Sequence, residues 1–220
     1  MTARSADYHD YVFKDGRFVG QFEEMYRHAE EMPWHQDKTA YGIFSDLDVA
    51  ILGHFDRRHQ FRSACDAGCG LGYFTNRIAT EVFGERHVPV TGLDISETAV
   101  AKARRRFPAL EFHACNLLED ELGGHRGRYD LVVAKELIWY VVDEAERLFS
   151  RLGAMTQRFI YVAQSFPETP DYHGKALFPD ARALETWLAR RFRLVYCVVE
   201  KDSQYGFREL AHLFAEVRQP

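Results

Sequence analysis

Three alternating glycines constrain this chain more than any other feature. The run Asp66-Ala67-Gly68-Cys69-Gly70-Leu71-Gly72 follows a candidate short strand at about 62–67 and precedes a helix-like stretch from Tyr73 to about Val82. Glycines at a strand-to-helix turn let the backbone approach a bound nucleotide-like ligand with no Cβ in the way. Nicotinamide and flavin proteins use such turns too, so the spacing decides. The pattern Gly-x-Gly-x-x-Gly wants a third small residue where this chain has Tyr73, and the third glycine comes one residue early, at Gly72. That suits a ligand without a pyrophosphate and disfavours a nicotinamide-dependent oxidoreductase.

A second landmark follows roughly twenty-odd residues on, as nucleoside-binding βαβ units require. Val88-Pro89-Val90-Thr91-Gly92-Leu93-Asp94 reads as a strand ending in a carboxylate able to accept bonds from both ribose hydroxyls. Ser96 then caps a helix from Glu97 to about Phe107, which Pro108 terminates. With Gly92-Leu93-Asp94-Ile95-Ser96, Tyr129-Asp130-Leu131-Val132-Val133-Ala134 and the glycine run, the chain resembles the class I S-adenosylmethionine-dependent methyltransferases. The resemblance covers about 63–163 and extends plausibly to the C-terminus. It implies an α/β fold, a Rossmann-like, doubly wound, seven-stranded sheet with an antiparallel last strand. It also implies S-adenosyl-L-methionine as cofactor.

The rest of the chain fits an alternation of strands and helices. Residues 110–115 alternate like a third strand, 129–134 form a fully buried-looking fourth and about 158–163 a fifth. Helix-like segments lie at about 142–152 and 180–191. Two terminal strands, about 194–199 and 208–215, flank a turn at 202–206, which predicts an antiparallel hairpin. With 46% hydrophobic residues among 220, the chain can bury one substantial core, so the expected division is an extension, 1–60, and a cofactor-binding domain, 61–220.

No apolar run approaches a membrane span and the N-terminus lacks a signal-like apolar stretch, so a cytoplasmic location is the default. A net charge of −5 argues against nucleic acid as a partner. Arg104-Arg105-Arg106 reads as a solvated helix face. Cys65, Cys69, Cys115 and Cys197 show no paired spacing, which suits buried thiols, and no metal site is expected. Oligomeric state leaves no signature.

The first sixty residues carry more than a tail needs. Asp15-Gly16 between apolar–aromatic runs signals a hairpin, and Glu23–Glu31 forms a helix with Phe22, Met25, Tyr26 and Ala29 on one face. From the residues, Trp34 and Tyr41 equally suit a lid over the cofactor crevice or packing on the sheet. Pro33-Trp34 and Tyr41 also resemble the Pro-Trp segment ahead of the core in nodulation-type methyltransferases, which N-methylate amino sugars. That resemblance favours a helical and hairpin lid, with Trp34 against the cofactor.

The resemblance then assigns the site residue by residue. Gly68, Cys69 and Gly70 bring backbone to the methionine part and ribose, and Asp66 bonds the α-amino group. Asp94 takes the ribose hydroxyls, Ile95 lies against adenine, and Asn116 and Leu117 meet the adenine edge. Asn116 stands where the family commonly has an acidic residue. The fourth strand opens into Lys135-Glu136-Leu137-Ile138-Trp139-Tyr140, facing the sulfonium and the acceptor. Loss of an acceptor proton needs a base. Glu136 is the first candidate and His35 the second, with Tyr140 bonding the acceptor and Trp139 lining its pocket. The alternatives are that Glu136 caps the following helix and Trp139 fills the core. A long loop, 164–175, offers Tyr172 and His173 to a sugar-like ring. The expected activity is methyl transfer to N or O of a small molecule, with an RNA or protein methyltransferase, or a non-catalytic cofactor-binding module, as the rival readings.

Overall fold

The computed structural model of the protein describes residues 7–14, 17–202 and 207–218. Strands β1 (Phe13–Lys14) and β2 (Arg17–Phe18) pair antiparallel, Lys14 opposite Arg17, as the hairpin reading requires. The turns themselves, Asp15-Gly16 and 203–206, lie outside the described residues. Helix α1 (Phe22–His28) ends earlier than the apolar periodicity suggested, and α2 (Gln36–Thr39) and α3 (Ile43–His59) complete the N-terminal part. Then follow β3 (Ala64–Ala67), α4 (Tyr73–Arg77), β4 (Val90–Asp94), α5 (Glu97–Arg106), β5 (Glu111–Ala114) and β6 (Tyr129–Lys135). The chain closes with α6 (Ala145–Met155), β7 (Thr156–Pro167), α7 (Ala181–Ala189), β8 (Arg193–Asp202) and β9 (Phe207–Glu216).

The main sheet has seven strands in the order β5-β4-β3-β6-β7-β9-β8. The pairs β3–β6, β4–β5 and β6–β7 are parallel, whereas β9 runs antiparallel to both β7 and β8. This is the doubly wound arrangement with its antiparallel last strand. Strand β7 continues through Pro167, so the segment expected to be loop from residue 164 is strand for its first four residues.

Contacts group the chain into two compact units, Met1–Gln60 with Gly68–Asn116, and Phe61–Ala67 with Leu117–Pro220. In the first, Cys69, Val100, Ala103 and Phe112 form a buried cluster. Nearly buried Arg77 organises its N-terminal part. Its guanidinium donates to the Ala40 carbonyl (2.6 Å) and pairs with Asp46 (2.8 Å) and Glu81 (2.7 Å). In the second, Phe61, Phe159 and Phe214 stack together, and Phe149 and Phe178 pack on Trp187. Buried His212 on β9 joins Tyr161 Oη on β7 (3.0 Å) to Glu200 on β8 (3.1 Å).

All four cysteines are free, with Cys65, Cys69 and Cys115 buried. Half-buried Cys197 has its thiol pushed up to about 11 by burial and by Glu185. Among the described residues no helix is long and apolar enough to cross a membrane.

Candidate functional site

The glycine loop and the end of β4 form one hydrogen-bonded structure in the first unit. The Gly68 and Cys69 amides donate to the Leu93 carbonyl (2.8 and 2.9 Å). Asp94 Oδ2 accepts from the Gly70 amide (2.8 Å) and Oδ1 from the Ser96 amide (2.9 Å). Ser96 Oγ in turn accepts from the Ala99 amide (3.0 Å), the capping bond that starts α5. The Asp94 carboxyl is buried, and burial pushes its pKa up against the two amides that favour its charge. Gly72, in left-handed backbone at φ 81°, caps α4, and a Cβ there would lie 2.7 Å from the Phe112 ring. The early third glycine thus serves close packing.

The N-terminal segment lies directly on this loop. The Leu71 amide donates to Gln36 Oε1 (2.9 Å), and Gln36 Nε2 donates to Tyr26 Oη (3.0 Å). A Cβ on Gly70, itself at φ 54°, would sit 2.6 Å from the Gln36 amide and 2.8 Å from Tyr26 Oη. Glu23 of α1 accepts from Ser96 Oγ (2.6 Å), the Thr98 amide (3.1 Å) and Thr98 Oγ1 (2.5 Å), and pairs with Arg27 (2.8 Å). Burial pushes its carboxyl up, but the Ser96 and Thr98 bonds, with Arg27, outweigh this and hold it at about 2.

Trp34 has the left-handed backbone φ 52°, and its ring lies among those of Tyr8, Phe22 and Tyr26, at 5.7, 6.4 and 6.2 Å. The residues that meet the glycine loop are therefore Tyr26 and Gln36, not the tryptophan the sequence singled out. His35 is exposed, with its ring edge toward Tyr8. Ile95 is 51% exposed beside Asp94, and Asn116 is half-buried. A cavity of about 520 Å³ opens beside Leu71 and Tyr26, with Lys102, Arg105 and Arg106 on one wall and Glu30 and Glu31 among the other lining residues. The three-arginine run is thus partly a cavity wall, and Arg104 donates to the Phe112 carbonyl (2.9 Å).

In the second unit Asp66 is buried on β3 opposite Val133 of β6. Leu117 is buried and its carbonyl accepts from Arg151. Lys135, half-buried, is the last residue of β6. Glu136 follows at φ 52°, a left-handed conformation unusual for a residue with a Cβ. Its carboxylate accepts from the Ser165 amide (2.6 Å), Ser165 Oγ (2.6 Å) and Gln164 Nε2 (3.3 Å). It caps no helix: the following 3-10 turn, Ile138–Glu144, has no side-chain cap.

The Ile138 amide donates to Gln164 Oε1 (3.1 Å) and Trp139 Nε1 to the Ser165 carbonyl (2.8 Å). The Trp139 ring is edge-on to Phe166 and Tyr172, both at 5.3 Å, so Trp139 and Tyr172 do come together. Tyr172 Oη donates to the Phe178 carbonyl (2.8 Å). Tyr140 and His173 are half-buried in the same unit.

Residues 64–158 match a family described as a methyltransferase domain. With the sheet order and the Asp94 loop, that stretch is a class I S-adenosylmethionine-dependent methyltransferase domain. Two Mycobacterium tuberculosis proteins, each a probable S-adenosylmethionine-dependent methyltransferase, are 33% identical over 109 residues, which cover 44% of this chain. The match spans only 37% of those curated relatives' length. Among solved structures, the N-methyltransferase NodS from Bradyrhizobium japonicum superposes with a TM-score of 0.63 at 14% identity, over 82% of this chain and 99% of that one. Magnesium protoporphyrin IX methyltransferase from Synechocystis, with bound S-adenosylmethionine, gives 0.59 at 20% identity, over 96% of this chain and 90% of that one. At these identities the likeness is one of fold.

The first unit fits the cofactor of this domain family. A carboxylate offers about four lone-pair positions, and Asp94 gives one amide bond to each oxygen, leaving acceptor capacity for a ribose diol. The loop beside it has no side chain at Gly68 or Gly70. Glu23, Tyr26 and Gln36 were missed because their partners lie 35 to 75 residues away. The available signal was an amphipathic helix just ahead of the Pro-Trp segment.

Proposed function

We propose that the protein transfers a methyl group to an N or O atom of a small, sugar-like acceptor. The sulfonium of S-adenosylmethionine supplies an electrophilic methyl group, and Gly68, Gly70 and Asp94 are the residues that would hold the cofactor. The observation that supports the acceptor class is the Trp139–Tyr172 aromatic pair, carried in the second unit beside the polar groups of Glu136, Gln164 and Ser165. Aromatic edges and faces beside hydrogen-bonding side chains suit a polar ring with hydroxyl or amino substituents.

Alignment of the acceptor contributes much of the acceleration in such a displacement, and Trp139, Tyr140, Tyr172 and His173 are the groups to orient it. Glu136 already receives three hydrogen bonds, which lower a carboxylate's basicity. Its role in this reading is to fix the turn after β6 against β7. An acceptor proton then passes to His35, Tyr140 or solvent.

The test is transfer of labelled methyl from S-adenosylmethionine to a panel of amino sugars and nucleotide sugars, with RNA and protein fractions beside them. Label on a sugar, abolished by Trp139→Ala in a folded variant, is the expected result. Label confined to RNA or protein overturns the small-molecule reading.

A further inference from the structure

The N-terminal segment touches both supports of the buried Asp94 carboxylate. On one side, Asp94 Oδ1 is held by the Ser96 amide. The Ser96 hydroxyl accepts from Ala99 and directs its own proton to Glu23, 2.6 Å away. Thr98 adds its amide and hydroxyl to the same Glu23 carboxylate. On the other side, Asp94 Oδ2 is held by the Gly70 amide, and the next amide, that of Leu71, is held by Gln36. Gln36 returns through Tyr26 Oη to α1, three residues beyond Glu23, and Lys102 of α5 donates to the Tyr26 carbonyl.

We propose that Glu23 is a positioning residue for the cofactor, holding the turn after β4 through Ser96 and Thr98 so that Asp94 presents its carboxylate to the ribose diol. This rests on the reading of Asp94 as the ribose acceptor. It makes docking of the N-terminal segment and cofactor binding one coupled event: whatever loosens α1 loosens the turn that carries Asp94.

The geometry is specific for a carboxylate. Four donor groups, from Ser96, Thr98 twice and Arg27, meet two oxygens, and hydrogen bonds to a charged acceptor are the stronger kind. The charges also interact. Glu23 faces Arg27 on its own helix and Lys102 on α5, while Asp94 faces Glu23. Burial, and to a lesser degree Glu23, push the Asp94 pKa up. Removing the Glu23 charge therefore acts in two opposite directions. It loosens the turn, weakening affinity where Asp94 is ionised, and it lets Asp94 keep its charge to lower pH.

Calorimetric titration of S-adenosylhomocysteine from pH 8 downward, with the melting temperature of each variant, tests this. Glu23→Gln is expected to weaken affinity about tenfold at pH 8, in keeping with loss of charge-assisted bonds, and to move the acid fall of affinity to lower pH. Thr98→Val, which keeps the charge and removes one donor, is expected to weaken affinity without moving that fall. It carries the test should Glu23→Gln fold poorly.

Asp94→Asn separates the two layers of the reading. If it weakens binding while Glu23→Gln and Thr98→Val both match the wild type at every pH, the role of Glu23 is overturned and that of Asp94 stands. If Asp94→Asn itself binds as the wild type does, the ribose assignment fails and the proposal fails with it. Weakening by Glu23→Gln at all pH values with the acid fall unmoved also overturns the proposal, because a purely structural contact behaves that way.

Discussion

Gly70 and Glu136 share a left-handed backbone, at φ 54° and 52°, and meet opposite demands. At Gly70 the conformation leaves Cα bare, and the space a Cβ would take belongs to Gln36 and Tyr26. At Glu136 a full side chain is retained in that conformation, with a cost on the order of 1 kcal/mol or more. The compensation is visible: its amide donates to the Ala163 carbonyl (2.8 Å), and its carboxylate takes three donors from Gln164 and Ser165. Glu136→Gln turns one accepting oxygen into a donor facing donors. The expected cost is about 1–3 kcal/mol, read as a fall in Tm of roughly 2–4 °C per kcal/mol. The acid limb of the kcat/KM profile is expected to persist in this variant. Its disappearance would show that Glu136 is the general base after all.

At the scale of elements, α5 is the piece on which the first unit turns. Its N-terminus is capped by Ser96 and braced by Glu23, its basic face lines the cavity beside Leu71, and Arg104 reaches the Phe112 carbonyl. Because Glu23 is held at about 2, below its model value of 4.5, it contributes stability that is fully present above about pH 4.5. That contribution is lost as pH falls from there toward 2, since protonation removes the acceptor for Ser96 and Thr98. Glu23→Gln is therefore expected to flatten the pH dependence of urea-unfolding stability in that window. A slope equal to that of the wild type would mean the contact does not persist in solution. The strand β7 is the matching element of the second unit. Its last residues, Gln164 to Pro167, pair with β9 and supply the donors that clamp Glu136.

The whole molecule has a seven-stranded sheet and an N-terminal segment that meets its glycine loop. A ligand that binds only the folded state stabilises it by mass action, about 2.7 kcal/mol at a hundredfold excess over Kd. For a chain of this size that corresponds to a rise in Tm of roughly 5–10 °C. S-adenosylhomocysteine is expected to give such a shift in scanning calorimetry and NAD none. The reverse pattern would contradict the spacing argument built on Tyr73.

The sequence by itself determined the sheet class, the glycine turn, the carboxylate at Asp94 and the Ser96 cap, because each is written in adjacent residues. Glycine at a turn, alternation in a strand and a hydroxyl ahead of a helix act within a few positions of one another. Tertiary structure alone decided which residues stand over the loop. Glu23 reaches Ser96 across 73 positions and Gln36 reaches Leu71 across 35. It also decided that Trp34 packs among rings and that Glu136 is clamped by a strand read from sequence as loop. Such partners are brought together by the packing of α1 and α2 and by the pairing of β7, and no local periodicity encodes a contact between groups so far apart along the chain.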